Sequence, residues 1–271
     1  MDERVIQFLQ CPVCKNKFIF NGKSLVCKKG HCFDVSRKGY INFSQPRKEK
    51  LYNSNLFQNR SYIFELGLYK AVVNKINEML EDLSIPNNSV LVDAGCGEGY
   101  YCREVHFKGC TKTIGFDLSK EAIQYASGKD KESFYMVADL ANIPIQNNVA
   151  GIILNVFTPA NYKEFRRIIS KNGVIVKATP KENYLVELRE VASPFLINKT
   201  YNSHEVSEYI EKNVKIIKKE RVKYSLAISS DDIIRIAQMT PLLSYIDISR
   251  LDFSHIDSIT IDEEIVVGTL K

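Results

Sequence analysis

The chain has 271 residues, 45% of them hydrophobic and 25% charged, with a formal net charge of +5 and seven cysteines. These are ordinary globular values for one large domain, or a large one with a small one. They exclude a membrane span, since no apolar run approaches the roughly 18 residues one needs, and Met1-Asp-Glu-Arg-Val5 opens no apolar signal segment. The odd cysteine count argues against a secreted disulfide framework and for metal ligands or buried thiols in a reducing cytosol.

The charge is uneven. Residues 1–50 hold eight Lys and three Arg against four acids, +7, whereas residues 51–271 hold 26 basic and 28 acidic side chains, −2. Such a basic segment is either a solvated lysine-rich surface or a module for a polyanion. Within it, Cys11-Pro-Val-Cys14 is followed by Cys27 and His31, a C-x2-C and a C-x3-H twelve residues apart. Two close ligand pairs on turns supply the corners of a tetrahedron, which suits zinc. Between them Lys17-Phe-Ile-Phe20, Asn21-Gly22 and Ser24-Leu-Val26 predict a short β-hairpin that brings the pairs together. A segment this small cannot build a large core, so a metal staple makes physical sense. Cys32, beside His31, is the alternative fourth ligand. A closed set of four leaves no place for water, so the zinc is structural. Lys15, Lys17, Lys28, Lys29, Arg37 and Lys38 crowd the module. Tyr40 and Phe43 either stack on bases or pack against the next domain. Residues 1–43 therefore read as a small zinc-binding module whose basic surface is either solvated or set against a polyanion such as RNA.

Residues 44–88 read as a connector. Ser44 to Asn55 is polar and charged, as a linker is. From Leu56 to Leu83 apolar residues recur at three- and four-residue intervals (Leu68, Val72, Ile76, Met79, Leu80, Leu83), which predicts an amphipathic helix with a break near Gly67. Ser84-Ile-Pro-Asn-Asn88 ends it. The helix is expected to pack across a face of the neighbouring sheet, with Tyr69 a candidate for the ligand pocket.

From residue 89 to 271 strands and helices alternate. Strands are expected at Ser89–Val92, Thr113–Phe116, Ser133–Ala138, Gly151–Val156 and Gly173–Ala178. Helices are expected at Gly99–Phe107, Lys120–Ser127 (capped by Ser119 or its neighbour) and Tyr162–Ile169. This is the pattern of an α/β, doubly wound parallel sheet, whose ligands sit outside the carboxyl ends of the strands. A helix over Glu182–Val191, strands at Val214–Val222 and Ile259–Leu270 as a final antiparallel pair, and a helix over Asp231–Met239 capped by Ser230 complete the domain.

The first strand runs into Asp93-Ala-Gly95-Cys-Gly97-Glu98-Gly99 and a helix start. Glycines let the backbone approach a ligand, and the helix start adds free N–H groups. Asp117, eighteen residues after Gly99 at the end of the second strand, is placed to accept both hydroxyls of an adenosine ribose. The loop lacks the third glycine at the pyrophosphate spacing, and Glu98 would repel phosphates. An acid beside the loop instead suits a cationic, phosphate-free cofactor, S-adenosylmethionine (SAM). Asp139, after the third strand, suits the adenine amine. Asn155-Val-Phe157-Thr-Pro159, after the fourth, occupies the position where methyltransferases of nucleobase nitrogens often put a polar residue and an aromatic wall.

Taken together these pieces resemble the RlmA family of 23S rRNA guanine-N1 methyltransferases over essentially the whole chain. The resemblance rests on Cys11-Pro-Val-Cys14, Cys27-x3-His31 with Gly30 to Asp34, and Gly39-Tyr40-Ile41-Asn42. It continues through Gly67-x-Tyr69, the Asp93–Tyr101 loop, Gly115-Phe-Asp117-Leu118-Ser119-Lys120, Asn155-Val-Phe157, Ala178-Thr-Pro180 and Gln238-Met-Thr-Pro241. It implies a Rossmann-like class I SAM-dependent methyltransferase domain with a small N-terminal zinc-ribbon-like domain, and His31 as the fourth zinc ligand. It implies SAM held by Tyr69, the Gly95–Tyr101 turn with Tyr100 and Tyr101, Asp117 and Leu118, with Tyr184 where relatives can carry a histidine. It also implies a zinc module that helps to recognise 23S rRNA. Asn155 is the first candidate in the catalytic machinery, as an orienting partner for the base edge, and no residue stands out as the base. Two basic modules clamping one hairpin would make a homodimer, which nothing in the sequence shows. The competing readings are a small-molecule or protein methyltransferase and a non-catalytic RNA-binding protein that retains a SAM pocket.

Overall fold

The computed structural model describes residues 3–44, 54–196 and 203–271; most of the expected linker, 45–53, lies outside them. β1 (Phe18–Phe20), β2 (Ser24–Cys27) and β3 (Cys32–Asp34) form a three-stranded antiparallel sheet. The β1–β2 hairpin is the one expected. Asn21 Oδ1 closes its turn by accepting the backbone N–H groups of Lys23 and Ser24 at 3.0 and 2.7 Å. The third strand was not expected, because three residues carry too little alternation to read. Phe18, Phe33 and Phe43 pack ring to ring with centroids 5.0–5.7 Å apart and form the module's small core. Phe43 is buried there, and the buried Tyr40 takes a hydrogen bond from Gln124 Nε2 at 3.1 Å. Packing against the next domain, not stacking on bases, is the use the fold makes of both.

The connector folds as expected into two helices. α1 (Ser54–Glu65) and α2 (Lys70–Glu81) are separated by Gly67 at φ +88°. α2 buries Val72, Val73, Ile76, Met79 and Leu80, and this apolar stripe is what lays it on the sheet.

The main sheet has eight strands. In chain order the elements are β4 (Ile41–Asn42), β5 (Ser89–Ala94), α3 (Tyr100–Glu104), β6 (Cys110–Asp117), α4 (Lys120–Lys129), β7 (Phe134–Val137), β8 (Ala150–Val156), α5 (Tyr162–Ile168), β9 (Ile169–Pro180), α6 (Val186–Ala192), α7 (His204–Asn213), β10 (Val214–Ala227), α8 (Ser230–Met239) and β11 (Ser258–Leu270). The spatial order is β10-β11-β9-β8-β5-β6-β7-β4. β4 to β9 pair in parallel, and β10–β11 and β11–β9 in antiparallel. β5 lies between β6 and β8, so the chain reverses direction across the sheet at the carboxyl end of β5, where the glycine loop begins.

Four local expectations change. α3 stops at Glu104, because Val105 is extended. α6 begins only at Val186, since Leu185 sits at φ +49° and ends a turn over Lys181–Tyr184. The cap of α8 is Ser229, whose hydroxyl accepts the Asp232 N–H at 3.2 Å, and Ser230 is the first helical residue. α7 was not expected.

Two apolar layers cover the sheet. One joins α2, α6 and α8 to the odd-numbered residues of β11, with Ile259, Ile261, Ile265 and Val267 facing it. The other joins α5 to Val90, Val92 and Ile153, and it also contains Leu9, Phe18, Leu25, Ile41 and Phe43 of the N-terminal module. Module and sheet thus share one core. No helix among the described residues is long and apolar enough to cross a membrane.

Candidate zinc centre and cofactor site

Cys11, Cys14, Cys27 and His31 converge, with all ligand atoms within 4.8 Å of one another. The Cys14–Cys27 sulfurs are 3.4 Å apart, and His31 Nδ1 is 3.5 Å from Cys11 Sγ and 3.3 Å from Cys27 Sγ. Zn–S arms of about 2.3 Å and Zn–N arms of about 2.0 Å require tetrahedral edges of roughly 3.5–3.8 Å, so the cluster fits that ion. Its turns are built for it. Lys15 at φ +60° and Gly30 at φ +80° curl the chain behind each ligand pair. Asn16 Nδ2 donates to Cys14 Sγ at 3.2 Å, and that bond chiefly lowers the thiol pKa to about 6, toward the thiolate a metal needs. Cys32 is exposed and outside the cluster.

The glycine loop is held by its neighbours. The Gly95 and Cys96 N–H groups both donate to the Phe116 carbonyl, at 2.8 and 3.0 Å. Gly95 lies at φ +82°, and a Cβ there would come within 2.5 Å of the Thr158 side chain; at Gly99, φ +79°, it would meet the Tyr135 hydroxyl at 2.5 Å. Only glycine satisfies both demands. Asp117 Oδ2 accepts the Gly97 N–H at 3.0 Å and Oδ1 the Ser119 N–H at 2.8 Å. A carboxylate offers about four acceptor sites, so lone pairs remain for hydroxyl donors.

Three acids share this neighbourhood. Asp93 is buried, takes a hydrogen bond from Cys102 Sγ at 3.3 Å, and is pushed by burial up to a pKa of about 7. Burial likewise raises Asp117 and Glu98. Glu98 does not stand free beside the loop: Arg60, on α1, reaches over and places its Nε 3.2 Å from the carboxylate. Arg60 was not anticipated, because nothing in the sequence ties α1 to the loop. Acids held above their usual range by burial are relieved by a cation, so the site fits the sulfonium and ammonium of SAM and the hydroxyls of its ribose.

Asp139, half-buried after β7, spends Oδ1 on its own turn, accepting the Ala141 N–H at 2.8 Å. Leu118 is half-buried beside Asp117. Tyr100 and Tyr101 are buried and pack on Phe64, with centroids 4.7 and 6.3 Å away. Tyr69 meets Phe157 at 5.8 Å and Phe157 meets Tyr184 at 5.5 Å, while the Tyr69 and Tyr184 hydroxyls are 2.6 Å apart. These three rings form an aromatic cluster at the carboxyl ends of the strands. Phe157 itself is held at φ +56°, a strained conformation for a non-glycine residue.

Asn155 is placed differently from its expected role. It is 0% exposed, and its amide nitrogen lies 3.2 Å from the Ala94 carbonyl and 3.0 Å from that of Pro159. Its oxygen accepts from Lys177 Nζ at 2.6 Å. Fully engaged inside the protein, its amide holds the loop and presents no free edge to a base. Lys177, opposite it on β9, also donates to the Thr158 carbonyl, and burial lowers its pKa to about 8.

The "RlmA, N-terminal" zinc-ribbon family matches residues 9–48, and the family described as a methyltransferase domain matches residues 85–230. The chain is 30% identical to a protein of Bacillus subtilis (strain 168) named "Putative 23S rRNA (guanine-N(1)-)-methyltransferase YxjB", over 98% of this chain and 99% of that one. It is 26% identical to the 23S rRNA (guanine(748)-N(1))-methyltransferase of Streptomyces fradiae, over 89% and 87% respectively. With a zinc cluster ahead of a SAM-type loop in one continuous core, the chain belongs to the RlmA-type family of 23S rRNA (guanine-N1)-methyltransferases.

Proposed function

We propose that this protein transfers a methyl group from SAM to N1 of a guanine in a hairpin loop of 23S rRNA. The observation that carries this reading is the end-to-end match to relatives named for that reaction. The module supports it, because Lys15, Lys17, Lys23, Lys28, Lys29, Arg37 and Lys38 are all exposed on it, as a phosphate-binding surface requires.

When bound, SAM supplies a methyl on a sulfonium, activated for in-line displacement. The chain's own part is positioning. Asp117 takes the ribose hydroxyls on its remaining lone pairs. Asp93 complements the positive charge, Glu98 stays paired with Arg60, and Gly95, Gly97 and Gly99 keep the backbone open to the cofactor. Leu118 and Asp139 lie at the strand ends proposed for the adenine. Tyr69, Tyr100, Tyr101 and Tyr184 wall the site, and Phe157 faces the incoming base. Asn155 and Lys177 hold the strained Phe157 loop from beneath, so Asn155 acts as a positioning residue. The target guanine has to be unpaired or flipped to enter.

The test is to incubate the protein with SAM and undermethylated 23S rRNA and to read modification by primer extension, since an N1 methyl blocks Watson–Crick pairing. A new stop at a loop guanine is expected; an unchanged ladder overturns the reading. The same reading puts the enzyme in the cytosol with its ribosomal substrate and favours two copies on one hairpin. Light scattering that gives a monomer mass with and without the hairpin removes the dimer.

A further inference from the structure

Methylating guanine N1 requires a proton to leave that nitrogen, and the sequence points to no residue that would take it. β11 carries one. Along this strand Ile259, Ile261, Ile265 and Val267 face the layer that also holds Tyr69, Tyr100 and Tyr101. Strand periodicity puts Glu263 on that same face. It pairs with Pro180 at the carboxyl end of β9 and with Val222 of β10, just ahead of the turn that carries Tyr184. Glu263 is 0% exposed, and among the described residues neither of its carboxyl oxygens has a hydrogen-bond partner. The buried hydroxyl of Tyr101 is likewise unpartnered. A buried carboxyl without a partner is costly, and a fold keeps one only where something else supplies the return.

The titratable groups it acts on come from four packed elements: Tyr69 ahead of α2, Tyr101 on α3, Tyr184 after β9 and Tyr224 on β10, with Asp262 its neighbour on the strand. Burial first, and then the field of Glu263, raises the phenol pKa values of Tyr101, Tyr184 and Tyr224, so its carboxyl lies within electrostatic reach of the aromatic cluster. Burial, reinforced by Asp262, holds the Glu263 pKa well above the usual carboxylate range. Asp262 is committed elsewhere, paired with Arg221 at 2.7 Å.

We propose that Glu263 is the proton acceptor of the methyl transfer. This rests on the guanine-N1 reading above. The N1 lone pair forms the bond to the methyl carbon, the S–CH3 electron pair stays on sulfur as the neutral thioether, and the N1 proton passes to the Glu263 carboxylate and afterwards to solvent. The products are N1-methylguanine, S-adenosylhomocysteine and one proton. A carboxyl enclosed this deeply is a stronger base than one in water, which suits it to a weakly acidic donor.

The experiment compares wild type with Glu263→Gln, an isosteric change that removes the basic site without opening a cavity. The expected outcome is a kcat at least roughly a hundredfold lower, an unchanged SAM dissociation constant by calorimetry, and loss of the ascending limb of the wild-type pH–rate profile. Should the Gln variant fail to fold, Glu263→Ala assayed with added formate replaces it, because formate in the vacated space restores turnover only if the missing group is a base. An undiminished kcat in Glu263→Gln, or weakened SAM binding with kcat intact, overturns the proposal. Wild-type protein that methylates no rRNA overturns the parent reading instead, so the two failures are distinguishable.

Discussion

At the scale of single residues, Asp93 gives the sharpest expectation. Its pKa is raised from 3.8 to about 7, chiefly by burial. A carboxyl raised on folding contributes stability that is complete below its unfolded pKa and lost as pH climbs through 7. Binding of a cation runs the other way, since it favours the ionised form. SAM affinity is therefore expected to rise roughly tenfold between pH 6 and 8. Asp117, also raised by burial, pushes in the same direction. Calorimetric titration across that range checks this, and Asp93→Asn should flatten much of the rise. A wild-type affinity indifferent to pH would sink the idea. The cysteine–histidine cluster and the place of Asp117 at the end of β6 were legible in the sequence because ligand spacing and strand-end position are local facts. Asn155 was not, because its burial is decided by Lys177 from a strand 22 residues away in sequence. Glu263 could have been found: strict alternation on its strand puts an acid where isoleucines flank it, the kind of local inconsistency that marks a functional position.

At the scale of elements, the turn between β5 and α3 is held by steric exclusion. A methyl at Gly95 would meet both the Thr158 side chain and a left-handed backbone. Overpacking costs about 1–3 kcal/mol and the backbone strain about 1–3 kcal/mol more, so Gly95→Ala is expected to lower Tm by several degrees and to weaken SAM binding. Adding Thr158→Ala separates the two causes. The double variant should regain only the packing part, because the positive φ remains. Complete recovery in thermal denaturation would mean that φ carries no cost here. The five central parallel strands were readable from runs of apolar residues broken by glycine and polar turns, whereas the two- and three-residue strands β3 and β4 were too short to read. Helix ends were less so. α6 starts four residues after its expected Glu182 because Leu185 adopts a left-handed conformation that no propensity announces.

At the scale of the molecule, composition suggested a basic module attached to a neutral domain, and the structure binds the two together. Leu9, Leu25 and Ile41 share a core with Val90 and Val92, and β4 extends the main sheet beside β7. Metal loss should consequently be felt throughout. Chelation, or Cys14→Ser with loss of bound zinc by metal analysis, is expected to shift one common melting transition rather than to remove a separate early one. Two resolved transitions would show that the shared core is too weak to couple the parts.

The same coupling bears on how RNA is engaged, because it fixes the exposed lysines of the module relative to the methyl-transfer pocket. Lys28 and Lys29 are exposed on the turn between Cys27 and His31, which a bound zinc would brace. If they contact phosphate, each contributes to counterion release, and the logarithm of RNA affinity falls with the logarithm of salt by about 0.7–0.9 per contact. Replacing both by Gln is thus expected to weaken hairpin binding and to make the salt slope shallower by about 1.4–1.8. Affinity for SAM should stay unchanged, since neither residue approaches the glycine loop. Filter binding of the 23S rRNA hairpin over a salt series measures the slope. A slope equal to that of wild type would mean that these lysines only solvate the surface, and the excess of positive charge in the first fifty residues would then need another partner.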